Sequence, residues 1–277
     1  MALCRHRRGV DPQFRRSLKI VFARNPLSLI LAGTILALVF PGCGNKESEP
    51  SGPVATIDPS TVGSISGTVT LAGTPPALKP IDMSASAPCV QANKSPVVPP
   101  LAVTGENGAL ANVVVYVKSG LGNYRYDPPK DPVILHQHNC MYDPHVVALM
   151  THQPFEIENN DPTMHNVHPM PKHNRQWSTS QPVGSAALKS TFARTEFAMP
   201  ILCNVHPWMR AYGFVFNNPY FAVTSETGKF EIGNLPPGTY TVEAWQETYG
   251  TRDQMVTIGP KESKALTFTF AASPSAR

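Results

Sequence analysis

The sequence is poor in helical pattern. Apolar residues almost never recur at the three- and four-residue spacing that gives a helix a buried stripe, which argues against helical bundles and α/β folds. There is no Cys-x-x-Cys-His for covalent haem, no glycine loop of the kind that cradles phosphate, and there are too few cysteines for a structural zinc site. A membrane-spanning helix needs about 20 apolar residues, and the apolar run from Leu27 to Phe40 falls short of that.

That run comes after Arg5, Arg7, Arg8, Arg15, Arg16, Lys19 and Arg24. A basic segment ahead of a short apolar stretch is the pattern of a secretory signal, and residues 1–42 are read as one, with a permanent anchor as the weaker reading. The run ends Val39-Phe40-Pro41-Gly42-Cys43. It resembles a bacterial lipobox, in which Cys43 would take a lipid and attach the protein to a membrane. Phe40 stands where lipoboxes usually carry Leu, so ordinary cleavage without lipidation is the alternative. The expected location is the bacterial periplasm or cell envelope.

The leader holds seven of the 23 basic residues but only Asp11 of the 19 acids. The mature chain carries 16 basic and 18 acidic residues, a net charge of about −2. No Lys/Arg-rich cluster remains to argue for nucleic acid. From Gly44 to about Val62 the chain is Ser, Pro, Glu and Gly with almost no large apolar side chain, and residues 43–61 are expected to form a flexible tether.

Of five cysteines, Cys4 and Cys43 belong to the leader and its cleavage site, and Cys203 to a loop that also carries His206 and Met209. In an exported protein the remaining two, Cys89 and Cys140, most simply form a disulfide. The rival reading makes Cys140, beside His136, His138 and Met141, part of a second metal site.

After the tether, short segments rich in Val, Ile, Phe, Tyr and Thr alternate with Pro, Gly and Asn turns, the all-β pattern. Strands are expected over Ser64–Leu71, Asn112–Lys118, His145–Met150, Phe155–Glu158, Ser190–Phe197, Tyr212–Phe216, Lys229–Ile232, Thr239–Trp245 and Leu266–Phe270. In the last, Leu266, Phe268 and Phe270 alternate with Thr267 and Thr269, so one face should be buried and the other wet.

The run Pro200-Ile-Leu-Cys203-Asn-Val-His206-Pro-Trp-Met209 sets a thiol, an imidazole and a thioether on one short loop. Sulfur ligands select soft ions, and two His with one Cys and a weak axial Met are the donors of blue copper electron-transfer sites. The missing His is offered by Asp161-Pro-Thr-Met-His165-Asn166. His168 competes with it, but an offset of three reverses side-chain direction in a strand, so only one of the two can face Cys203. His136 and His138 would face one way on a strand, as in coupled copper centres, yet only one such pair is present. His145, His152 and His173 have no partner at recognisable spacing. Each donor also has a bland reading: Cys203 as a small buried hydrophobe, Met209 as core filler, His206 as a surface residue.

The loop, with Pro207 after the His and an upstream Asp-Pro-x-x-His-Asn, resembles the amicyanin- and plastocyanin-like cupredoxins. The resemblance implies one type 1 copper held by His165, Cys203, His206 and Met209. It also implies that Asn166 and Asn204 lock the ligand strand to the loop, and that His206, with Pro207 and Trp208, forms a surface electron port. A core role is the other reading of Trp208. The segment Thr224-Ser-Glu-Thr-Gly228-Lys-Phe230-Glu-Ile-Gly-Asn-Leu235-Pro236-Pro237-Gly238-Thr-Tyr240 resembles the carboxypeptidase regulatory-like β-sandwich, with Pro236-Pro237-Gly238 as a corner where Gly permits φ > 0. Its opening strands resemble Gly63–Leu71 and Ala111–Val117.

The expected fold class is thus all-β: a Greek-key cupredoxin sandwich inserted in, or followed by, a second prealbumin/Ig-like β-sandwich. The segments are 62–130 for opening strands, 131–217 for the copper domain and 218–277 for the remainder. The expected function is single-electron transfer by an exported copper protein that is not an enzyme. A redox protein such as a cytochrome c or a dehydrogenase would be its partner. A periplasmic copper carrier and a non-redox binding or adhesion module are the alternatives.

Overall fold

The computed structural model describes residues 52–272. The expected signal peptide, Cys43 and the start of the expected tether lie outside these residues. The strands, in chain order, are β1 (Gly63–Ala72), β2 (Val114–Ser119), β3 (Val133–His138), β4 (Met141–Asp143), β5 (Val146–Met150), β6 (Phe155–Asn159), β7 (His165–Pro169) and β8 (Thr179–Gln181). They continue with β9 (Leu188–Ser190), β10 (Glu196–Leu202), β11 (Arg210–Phe216), β12 (Phe221–Val223), β13 (Lys229–Leu235), β14 (Gly238–Gln246), β15 (Gly250–Ile258) and β16 (Ser263–Ala271). A six-residue helix, α1 (Ala87–Ala92), lies in the long connection from β1 to β2.

The strands make four sheets, ordered β13-β1-β16, β12-β2-β14-β15, β5-β11-β10-β7-β8 and β4-β3-β6-β9. The first two enclose one core, which includes Ile65, Val115, Val117, Val242, Phe268 and Phe270. The other two enclose a second, which includes Leu135, Phe155, Ile157, Val167, Ile201 and Val215. β1 pairs with β13 and β16, and β2 with β12 and β14, whereas β3 to β11 pair only with one another. The chain leaves the outer sandwich after β2 and re-enters it on β12, which lies beside β2 with Phe221 opposite Tyr116.

A third apolar cluster joins the two sandwiches: Val114, Tyr116, Val146, Phe214 and Trp245. Strand β2 therefore has two buried faces, with Val115 and Val117 in the outer core and Val114 and Tyr116 in the joint. Strand β11 divides in the same way, with Ala211 and Val215 in the inner core and Phe214 in the joint. A strand buried on both sides has no polar alternation, which accounts for the continuous apolar run Val113–Val117. On β16 the alternation is clean: Phe268 and Phe270 are buried while Thr267 and Thr269 are exposed.

Three local expectations differ from the structure. The tether is pinned from Gly52 onward: the Arg125 side chain donates to Gly52 O, and Pro53 and Ala55 exchange backbone hydrogen bonds with Arg125. Ile57 packs on the outer core. The expected strand Ser190–Phe197 is two elements, because β9 ends at Ser190 and β10 begins at Glu196. The buried Glu196 carboxylate accepts N–H groups from Lys172, His173 and Asn174, an anchor that hydrophobic alternation does not reveal. Gly238 is not left-handed. A Cβ there would lie 2.9 Å from the Tyr240 hydroxyl, so glycine makes room for that ring, whose hydroxyl donates to Pro236 O at 2.7 Å.

Candidate metal centre

The hairpin of β10 and β11 is closed by a tight loop. Cys203 N donates to Met209 O at 3.3 Å and Met209 N to His206 O at 3.0 Å. Strand β7 pairs with β10 through Leu202 opposite His168. This register brings the start of β7 against the loop, where Asn166 N and His206 N both donate to Cys203 Sγ at 3.4 Å.

Three donor atoms converge. His165 Nδ1 and His206 Nδ1 are 3.0 Å apart, and Cys203 Sγ lies 4.0 Å from the first and 3.9 Å from the second. Bonds of about 2.0–2.1 Å to nitrogen and about 2.3 Å to sulfur from one ion leave its donors at such separations. All three residues are buried. Met209 is fully buried in the same core cluster as Cys203.

The protonation of the two rings is set by their partners. His165 Nε2 lies 2.9 Å from Asp161 Oδ2, and an ionised carboxylate only accepts, so that nitrogen carries the proton. His206 Nε2 faces Ser86 Oγ at 3.3 Å. Both Nδ1 atoms then present lone pairs to each other and to the Cys203 sulfur. Bare, that arrangement is repulsive; a cation among the three atoms satisfies all of them at once, so these side chains fit a metal ion.

Without an ion, a proton on His165 facing the sulfur takes the place of the cation. Burial pushes the Cys203 thiol up, but that contact with His165 and hydrogen bonds from backbone N–H groups outweigh it and hold the thiol below its ordinary value. Burial, with His165 close by, lowers His206 and keeps it neutral. Burial works against protonation of His165, but Asp161 and Cys203 outweigh it and raise that imidazole.

Asp161 is itself fixed. Its carboxylate accepts the N–H of Asn139 at 2.6 Å and of Cys140 at 2.8 Å, and its own N–H donates to Asn159 Oδ1. Asn139 and Cys140 form the two-residue turn from β3 to β4, both with positive φ, the backbone of a tight hairpin. Cys140 is disulfide-bonded to Cys89.

Asn166 and Asn204 do not bond directly. The Ser178 hydroxyl joins them, donating to Asn166 Oδ1 at 3.1 Å and accepting from Asn204 Nδ2 at 3.3 Å. His168 points away from the donors, to Asn204 Oδ1 and Gln176 Nε2. His136 lies 3.2 Å from Glu158, and His138 is exposed. Among the described residues neither joins a cluster of metal-binding spacing, and the disulfide occupies Cys140, so the second site around His136, His138, Cys140 and Met141 does not form. His145 bridges Arg210 O at 3.0 Å and Glu247 Oε1 at 2.5 Å, His152 is exposed, and His173 Nδ1 lies 3.1 Å from Thr195 O.

The expected surface port needs correction at its centre. Pro207 is exposed and Trp208 half-buried, but His206 is only 3% exposed, because the connection carrying Ser86 and Cys89 lies over it. Sequence reasoning missed Asp161 as a partner of His165, although it stands four residues before it in the Asp-Pro-x-x-His-Asn motif. It also missed Tyr142, whose hydroxyl donates to Leu202 O at 3.0 Å. Nothing in the sequence points from Ser86 or Ser178 to the loop.

The described chain is all-β, with a buried His-Cys-His cluster in one of its two sandwiches. A family model for the carboxypeptidase regulatory-like domain matches residues 216–271, which hold β12 to β16. A Cu-containing nitrite reductase (NirK) from Thermus scotoductus SA-01 is similar at 17% identity and a TM-score of 0.29, over 32% of this chain and 23% of that one. A Cu(I) amicyanin variant is similar at 17% identity and a TM-score of 0.27, over 30% of this chain and 81% of that one. A second, reduced amicyanin variant gives 18% and 0.27, over 31% and 84%. No curated protein matches the chain.

Proposed function

We propose that this is an exported type 1 copper protein that passes single electrons between redox partners, with His165, Cys203, His206 and Met209 as the ligands. One observation carries the reading: two imidazole Nδ1 atoms and a cysteine sulfur, all buried, lie 3.0, 3.9 and 4.0 Å from one another while each outer nitrogen has its own partner. Copper bound there supplies reversible one-electron exchange.

The surrounding residues hold the donors in place. Backbone N–H groups of Asn166 and His206 stabilise the thiolate, Asp161 sets the tautomer of His165, and the inner core excludes water from the sulfur. Four ligands from the chain itself leave no place for a substrate, so the protein is read as a carrier and not as an enzyme. Partner contacts of such carriers are small and transient.

Absorption tests this. The mature protein loaded with Cu(II) should show an intense visible thiolate-to-copper band, lost in Cys203→Ser, and a reversible one-electron wave in voltammetry. A wild-type protein that takes up Cu(II) without that band overturns the reading. A band without a reversible wave leaves a copper-holding protein and removes electron transfer.

A further inference from the structure

The side of His206 away from the donors is closed by a cysteine pair that also belongs to the inner core. Cys89 in α1 and Cys140 in the β3–β4 turn are joined, and the pairing lays the connection between β1 and β2 over the ligand loop. Ser86 Oγ lies 3.3 Å and Cys89 Sγ 3.4 Å from His206 Nε2, and Ser86 Oγ donates to Cys89 Sγ at 3.1 Å. Asn93 ties the far end of α1 down, with Nδ2 donating to Cys89 O at 2.9 Å and Asn139 O at 2.8 Å. Trp208 lies against the His206 ring with centroids 5.1 Å apart, and its Nε1–H donates to Cys140 O at 3.0 Å.

Cys140 thus serves both histidines. Its N–H holds Asp161, which holds His165; its carbonyl holds Trp208, which packs on His206; its sulfur holds Cys89, which carries the cover over His206.

We propose that the Cys89–Cys140 disulfide mounts a fixed cap on His206, in which Ser86 orients the imidazole through Nε2–H and α1 bars solvent and small ligands from the outer side of the metal centre. Ser86 and the disulfide are positioning groups that act through His206. An electron leaving by this side passes the cap or Trp208 and not an exposed imidazole edge. The proposal rests on the reading of His206 as a ligand through Nδ1.

Two measurements on the mature chain test it. In the metal-free protein, diethyl pyrocarbonate labelling is followed by peptide mass spectrometry. His206 should resist the reagent while exposed His138 and His152 react; in the double variant Cys89→Ala/Cys140→Ala, His206 should react about tenfold faster or more, as expected when a local cover is released. Ser86→Ala, which keeps the disulfide, should give a smaller rise at His206 alone. The Cu(II)-loaded protein is then titrated with azide: the wild-type visible spectrum should not change and that of the double variant should.

Labelling of His206 in the wild type at the rate of His152 overturns the cap, as does azide binding by the wild type or indifference of a folded double variant to both reagents. Should the double variant not fold, the wild-type labelling and Ser86→Ala decide. Labelling does not require copper, so a protein that never develops the charge-transfer band fails the functional reading while the cap is still judged.

Discussion

Asp161 shows how much of the proposed metal centre lies behind its donors. A carboxylate that accepts from His165 Nε2 and from two backbone N–H groups fixes both the tautomer and the direction of the ring. Asp161→Asn keeps the shape but sets an amide against donors, and copper affinity should fall about 10- to 100-fold, measured by competition with a chelator, with the far-ultraviolet dichroism unchanged. An affinity within twofold of wild type would make Asp161 a packing residue. The legibility of the site depends on distance along the chain. The convergence of Cys203 with His206 is readable because one loop carries both at fixed spacing. His165 needed a choice against His168, and strand parity with the following Asn made it. Ser86 lies far upstream of His206, and Ala, Pro and Val around it carry no pattern, so the burial of His206 could not be read and an exposed port was expected instead.

At the scale of elements, the strands that were easiest to find are those with one wet face, such as β16. Those buried on both faces, β2 and β11, were visible as apolar runs, but which residues face which core emerges only from the pairing. Phe214 makes the distinction testable. It points into the joint between the sandwiches, among Phe197, Phe216 and Trp245, and not toward the Cys203 core. Phe214→Ala should cost about 3–5 kcal/mol in urea unfolding while the copper band keeps its position. A displaced band would mean that the joint and the ligand loop are coupled. Helix α1 was invisible to sequence reasoning for a physical reason: six residues cannot sustain a helix alone. Its place is set by the Cys89 bond and by Asn93, contacts that lie far apart in the chain.

For the whole molecule, a continuous joint predicts that the two sandwiches unfold together, in a single calorimetric transition; two resolved transitions would count against it. Alkali should weaken that unit. Burial raises Tyr116 and Tyr142 above the ordinary phenol range, with Glu243 adding to the rise at Tyr116, to which it is hydrogen-bonded. Unfolded tyrosines ionise near pH 10 and these do not, so their contribution is complete below about pH 10 and is lost as pH rises past it. Urea midpoints should therefore fall as pH rises above about 10, less steeply in Tyr116→Phe. The re-entry of the chain on β12 beside β2 bears on the order in which the chain can fold. Strands β3 to β11 find all their partners among themselves, while β1 and β2 must wait for β12 to β16. The inner module can close first, and until the last five strands arrive the apolar faces of β1 and β2 must be kept from other chains. The chain is most exposed to aggregation in that interval, and holding chaperones have a defined target in Val113–Val117.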